Sequence, residues 1–264
     1  MFSAVESDAA RVLEPQYAKT TPVLSTASAF RYEEDVPIMV PGVNFAHATM
    51  IDTQRRARGW TGFIVPLPNC TTMGLVITLK PLLDRFGVQR VVMTSMQGVS
   101  GAGLSPGVAA LEILDNIIPF IPGEEEKVAR ETGKILGAGF PVSATCTRAA
   151  VTEGHTESVT VSLGRAASPD TVRQAFREFG REWAALALPS APRQWITVHD
   201  DPYRPQPRLD RDADGGMTTS VGRVREDVAL EHGIKYVLVS HNTRMGAAKG
   251  AVLAAEYLVT AGYV

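Results

Sequence analysis

Between Phe63 and Phe86 the chain passes from a short β-prone apolar run, Phe63 to Leu67, through Pro68-Asn69 into Cys70-Thr71-Thr72. A longer run follows, Met73 to Phe86, whose apolar residues recur at helical spacing. A buried strand that feeds a helix through so short a turn is the repeating unit of an α/β fold. The rhythm continues on both sides. Ser7 to Ala18 reads as a helix, Pro22 to Ser25 and Ile38 to Val40 as strands, and Met1 to Ala4 as the end of a buried strand with nothing before it. Gln89 to Thr94 reads as a strand, Gly98 to Gly103 as a glycine-rich loop, Glu124 to Leu136 as a helix, and Val142 to Thr147 and Ser158 to Leu163 as strands. Ser168-Pro169 starts a helix expected to reach about Leu186. Ala191 to Gly216, rich in Pro, Arg and Asp, reads as an ordered surface connection. Met217 to Val224 and Tyr236 to Ser240 then read as strands, and Met245 to Val259 as a closing helix.

With 264 residues, 45% of them hydrophobic, the chain can bury a core as one large domain or two coupled ones. Twenty-six basic against 28 acidic side chains, in no block of five like charges, leave no basic arm for nucleic acid and no polybasic membrane patch. The N-terminus has no basic segment followed by an apolar core, and no apolar run is long enough to span a bilayer, so a cytoplasmic protein is expected. Two cysteines, Cys70 and Cys146, are too few for a disulfide framework or a thiolate cage. With the five histidines dispersed and no His-Glu-x-x-His, no metal is expected.

Cys70 is the residue most open to chemistry. At a helix N-terminus, free N–H groups and the macrodipole favour a thiolate, so a lowered pKa is expected there. Cys146, inside an apolar strand, reads as a small buried hydrophobe. Arg148 stands seven residues before His155, a separation that can bring a carboxylate-binding fork and an imidazole to one pocket. His47, His199, His232 and His241 read as structural or exposed. Glu124 and Lys127, three apart on one helix face, read by themselves as an ordinary surface pair.

Several ordered motifs together carry a more specific signal. Pro68-Asn69-Cys70-Thr71-Thr72 through Leu79-Lys80-Pro81-Leu82, Gln97 to Gly103, Arg148 with Gly154-His155-Thr156-Glu157, Pro205 to Asp210, Ser220 to Arg223 and Ser240 to Thr243 resemble the archaeal and fungal-like branch of the aspartate-semialdehyde dehydrogenase family over essentially the whole chain. The resemblance implies a partial Rossmann-like nucleotide-binding domain at residues 1 to 68, rejoined by the C-terminal helix at 241 to 264. It also implies an α+β catalytic and dimerisation domain of the glyceraldehyde-3-phosphate dehydrogenase C-terminal type at 69 to 240. The implied activity is NADPH-dependent reduction of aspartyl phosphate to the semialdehyde, on the route to lysine, threonine and methionine, by a homodimer or homotetramer.

In that frame Cys70 is the nucleophile that forms a thioester, His155 the general acid/base that takes the thiol proton, and Gln97 the positioner of the reacting group. Arg148 grips the substrate carboxylate, Glu124 faces its amino group, Lys127 and Arg31 bind phosphate, and Asn242 contacts the cofactor. Thr26 and Lys249 depart from the family pattern. The family's opening strand, glycine-rich turn and helix do not precede Phe2, which implies an N-terminally shortened chain that binds NADP weakly or not at all. Gly98-x-x-Gly101-x-Gly103 does not replace that unit, since its spacing differs. Other readings are a malonyl-CoA reductase of the same family, a non-catalytic regulatory subunit, and a Cys-His acyl transferase or hydrolase without a redox cofactor.

Overall fold

The computed structural model describes residues 1–102 and 113–264. Gly103, the last glycine of the expected loop, lies outside the described residues. Strands β1 (Phe2–Ser3), β2 (Pro22–Ser25) and β3 (Phe63–Pro66) form a parallel sheet in that order. Helix α1 (Ser7–Ala18) connects the first two strands, and α2 (Met50–Arg58) precedes the third. Paired positions alternate between faces: Val23 and Ile64 join Ala10 and Ala18 of α1 in a small core, while Leu24 and Val65 face the main one.

Seven further strands make a mixed sheet: β4 (Val88–Gln97), β5 (Ile117–Ile118), β6 (Val142–Ala149), β7 (His155–Leu163), β8 (Ile196–Val198), β9 (Thr219–Asp227) and β10 (Gly233–Ser240), in the order β5-β6-β4-β7-β10-β9-β8. Over one face lies α3 (Cys70–Phe86), flanked by α4 (Glu124–Leu136) and α5 (Pro169–Glu178). Met73, Leu75, Val76, Ile77, Leu79 and Leu82 of α3 are all fully buried, so this helix sits in the middle of the core. The sheet meets it with Val91, Met93, Val159, Val161, Ile234, Tyr236 and Leu238. The other face exposes Val92, Thr94, Ser143, Thr145 and Ser158. Helix α6 (Pro207–Asp210) is one turn, and α7 (Lys249–Thr260) returns to pack on β2. Among the described residues no helix is long and apolar enough to cross a membrane.

Register decides where the polar side chains gather. Gln97 of β4 pairs with Arg148 of β6, Ser95 of β4 with Glu157 of β7, and Ser240 of β10 with His155 of β7. The polar ends of four strands therefore meet at one end of the sheet.

Five local expectations need correction. Ile38 to Val40 is not a strand: Pro37 and Pro41 bracket it, and the Asn44 side chain satisfies the backbone, accepting from Val40 N–H and donating to the Ile38 carbonyl at 2.8 Å each. The helix expected to reach Leu186 stops at Glu178, because Gly180 takes φ +79°; a 3₁₀ turn, Arg181–Leu186, follows. The connection from 191 to 216 contains β8 and α6. The closing helix begins with a π-helical turn, Arg244–Ala248. At the N-terminus, β1 buries Ser3 but leaves Phe2 58% exposed.

Candidate active site

Cys70 opens α3. Asn69 caps the helix, its Oδ1 accepting from Thr71 N–H at 2.8 Å. The Cys70 Sγ lies 3.1 Å from Nε2 of His155, the first residue of β7. Gly98 N–H donates to the ring's other nitrogen, Nδ1, also at 3.1 Å. A neutral imidazole that accepts at Nδ1 carries its proton on Nε2, so His155 presents a donor to the sulfur.

Burial dominates the protonation of this pair. It pushes the Cys70 thiol up to about 12, with the Glu124 carboxylate adding to the rise and the Arg31 and Arg148 cations opposing it. The Thr71 N–H at the helix N-terminus favours the anion, as expected there, and burial acts against it; the cysteine itself is half-buried. Burial, with Arg148 nearby, holds His155 down to about 3, so its ring is neutral. The resting pair is a thiol beside a neutral, Nε2-protonated imidazole. That arrangement suits the acid half of the general acid/base role expected of His155, since the proton on Nε2 faces the reacting group.

The remaining predicted residues gather around Cys70. Gln97 is buried and donates from Nε2 to Ser95 Oγ and Glu124 Oε1, each at 3.2 Å. Glu124, the first residue of α4, lies with its other oxygen 3.9 Å from Lys127 Nζ. Arg148 is buried, and Nη1 donates to the Gly98 carbonyl at 2.8 Å, while its Nε has no hydrogen-bond partner among the described residues. A buried cation whose bonds go to neutral oxygens is ready for an anion. Cys70, Arg31, Glu124, Lys127 and Arg148 all line one cavity of about 510 Å³ that extends to Ser7 and to Thr26, Ala27 and Ser28.

Two predicted residues are more occupied than expected. Arg31 is buried and donates from Nε to the Leu67 carbonyl at 2.8 Å, from Nη2 to the Thr26 carbonyl at 2.9 Å and from Nη1 to Glu131 at 2.9 Å. One N–H on each terminal nitrogen is left for the cavity. Asn242 is buried beside the site, accepting from Gly154 N–H and donating to Ser100 Oγ, each at 2.9 Å, so its amide ties together the loops on either side of His155.

Cys146 is fully buried, and burial pushes its thiol up to about 12. His241 is buried between Glu153 and Asp212, with burial lowering its pKa. Among the described residues no group of three or more His, Cys, Asp or Glu is disposed to hold a metal. Glu131 was not expected at the site: it stands seven residues after Glu124, two helical turns on, and that spacing is the signal that could have found it. Glu157 closes the Gly154-His155-Thr156-Glu157 motif. It proves fully buried, with neither carboxyl oxygen hydrogen-bonded among the described residues, and burial raises its pKa.

Comparison with known proteins identifies the family. A family model described as "Semialdehyde dehydrogenase, dimerisation domain" matches residues 79–245. An aspartate-semialdehyde dehydrogenase of Methanothermobacter thermautotrophicus is 48% identical over 98% of this chain and 77% of its own length. One from Candida albicans is 42% identical over 98% and 76%. The crystal structure of the Candida albicans enzyme with NADP superposes with a TM-score of 0.88 at 39% identity, covering 100% of this chain and 78% of that one. That of the Vibrio cholerae enzyme II gives 0.80 at 28%, covering 98% and 79%. The chain belongs to the aspartate-semialdehyde dehydrogenase family.

Proposed function

We propose that this chain carries the catalytic machinery for the NADPH-dependent reduction of L-aspartyl 4-phosphate to L-aspartate 4-semialdehyde, with Cys70 as nucleophile. The observation that carries the reading is the 3.1 Å contact between Cys70 Sγ and His155 Nε2 at the mouth of a helix, beside a buried Arg148 whose Nε has no partner among the described residues.

Arg148 holds the substrate α-carboxylate, and Glu124, at the base of the cavity, takes its ammonium group. Lys127 and the free N–H groups of Arg31 receive the phosphate. Sγ attacks the acyl carbon, its proton leaves with the departing phosphate as the C–O bond to phosphate breaks, and a thioester forms on Cys70. Nε2–H of His155 then donates to the carbonyl oxygen as negative charge develops there, and Gln97 orients the group. When the carbon–sulfur bond breaks, the aldehyde leaves and Sγ recovers a proton. NADPH, when bound, supplies the hydride.

The cavity wall beside Cys70 fits the reactive end of such a cofactor, because Ala27, Ser28, Gly101 and Ala102 are small and leave room for a flat ring. Ser7, at the N-terminus of α1, has backbone N–H groups with no side-chain cap and would face a phosphate. The domain assignment is residues 1 to 68 with 241 to 264 on the nucleotide side and 69 to 240 for catalysis and dimerisation. The open face of the seven-stranded sheet, with Val92 46% exposed, is the surface on which a homodimer forms, and a tetramer would pair two of these.

The test is NADP reduction by aspartate semialdehyde in the presence of inorganic phosphate, the reverse direction. Turnover that falls by about 10³-fold or more in Cys70→Ala is expected. Turnover of malonyl-CoA with none of the aspartate substrate would overturn the assignment.

A further inference from the structure

Pro68 has no N–H, so the strand-to-helix turn that presents Cys70 offers two backbone groups as handles on either side of it, the Leu67 carbonyl and the Asn69 N–H. One buried ion pair takes both. Glu131 Oε2 accepts from Asn69 N–H at 2.7 Å, and its Oε1 accepts from Arg31 Nη1 at 2.9 Å. Arg31 Nε in turn donates to the Leu67 carbonyl at 2.8 Å. Glu131 is fully buried and Arg31 nearly so.

We propose that Glu131 is a positioning residue for the Cys70 nucleophile, acting with Arg31 as a two-sided clamp on the turn; the proposal rests on the dehydrogenase reading of this site. Three observations separate it from an ordinary structural ion pair. The carboxylate divides its oxygens between a cation and the N–H of the residue directly before the nucleophile. Asn69, held at its N–H by Glu131, is also the cap of α3, so its orientation sets the first turn of the helix and with it the direction of Sγ. Glu131 also stands two helical turns from Glu124, which touches Gln97 and Thr71, so one rigid helix references both the nucleophile and the groups that meet the substrate. Lys134, on the next turn, donates to the carbonyls of Arg31, Glu33 and Val36 at 2.8, 2.6 and 2.7 Å, anchoring the segment that carries Arg31 to the same helix.

A glutamine at 131 has one acceptor oxygen for two donors and turns its N–H₂ toward the other. Sγ then loses its fixed relation to His155, and a displacement of about 1 Å costs about 10²-fold in rate. The experiment compares the full chain with Glu131→Gln, Glu131→Asp and the double variant Glu131→Leu/Arg31→Met, reading kcat, KM for the semialdehyde, thermal midpoint and the rate of Cys70 alkylation by iodoacetamide. Glu131→Gln is expected to lower kcat by about 10- to 100-fold with the semialdehyde KM within about threefold. It should also slow alkylation, and Glu131→Asp should restore part of both.

The double variant avoids a lone charge at the Arg31–Glu131 pair, and because loss of the Arg31 cation by itself disfavours the Cys70 anion, its alkylation is compared with that of Arg31→Met alone: slowing beyond the single variant supports the clamp. Wild-type alkylation in a folded Glu131→Gln chain, or alkylation in the double variant no slower than in Arg31→Met, overturns it. Alkylation needs no substrate or cofactor, so it answers for the clamp even if the dehydrogenase assay fails.

Discussion

Gly246 lies flat against Cys70: a methyl group on this glycine would stand 2.9 Å from the cysteine Cβ. The π-helical turn before α7 thereby forms one wall of the nucleophile's seat. Gly246→Ala should displace Cys70 or the turn, destabilise the chain by about 1–3 kcal/mol and reduce turnover more than that loss of stability explains. A thermal melt together with kcat measured well below the midpoint checks this; wild-type kcat in the variant would contradict it.

Cys70 in the free chain should behave as a thiol. With its pKa pushed up to about 12, alkylation by iodoacetamide is expected to rise by about tenfold per pH unit from neutral pH into the alkaline range. A plateau near neutral pH would show a thiolate–imidazolium pair instead.

His155 gives the acid side of the stability profile. Its folded pKa of about 3 lies below the ordinary value of 6.5, so between those values the unfolded chain binds a proton that the folded chain refuses. Stability should therefore fall as pH drops from about 6.5 toward 3. Urea unfolding across this window should show a shallower slope for His155→Asn, and an unchanged slope would count against a buried neutral ring.

Glu157 acts in the opposite direction. Burial raises its folded pKa well above 4.5, so once the unfolded chain ionises above about pH 4.5 the folded chain binds more protons, and stability falls as pH rises. Glu157→Gln removes this term. The variant is expected to be at least as stable as the parent at pH 8 and to lose part of the alkaline decline, as followed by thermal midpoints from pH 5 to 9.

Arg148 trades stability for binding. Its buried guanidinium bonds to neutral oxygens and leaves Nε without a partner among the described residues, so Arg148→Met should leave the thermal midpoint unchanged or raise it while turnover falls by at least about 10²-fold. A variant that loses stability and activity together would point to a structural role instead.

Much of the fold was legible from local pattern. The helices Ser7–Ala18 and Glu124–Leu136 fall at the expected bounds, the second with acidic residues in its first turn and Gly137 at its end, the first without a side-chain cap and with Pro15 inside it. Ile38 to Val40 misled because a buried apolar run between prolines carries no periodicity, and its hydrogen bonds are split between the Asn44 side chain and the Pro66 carbonyl instead of forming a ladder. The helix Met50–Arg58 escaped notice altogether, being polar along most of its length. Cys70, Gln97, Arg148 and His155 could be named from their motifs, yet their meeting is a matter of register, since His155 reaches Cys70 across 85 positions.

The main alternation of strands and helices, the cysteine at a helix start and the residue types able to hold a carboxylate and a phosphate could be read from sequence alone, because they depend on neighbours a few positions away. The protonation of Cys70 and His155, the donor role set by the Gly98 N–H, and the grip of Glu131 on Asn69 were decided only by the tertiary structure. Burial, which governs whether a group keeps its charge, arises from chain segments far apart in sequence and has no local signature.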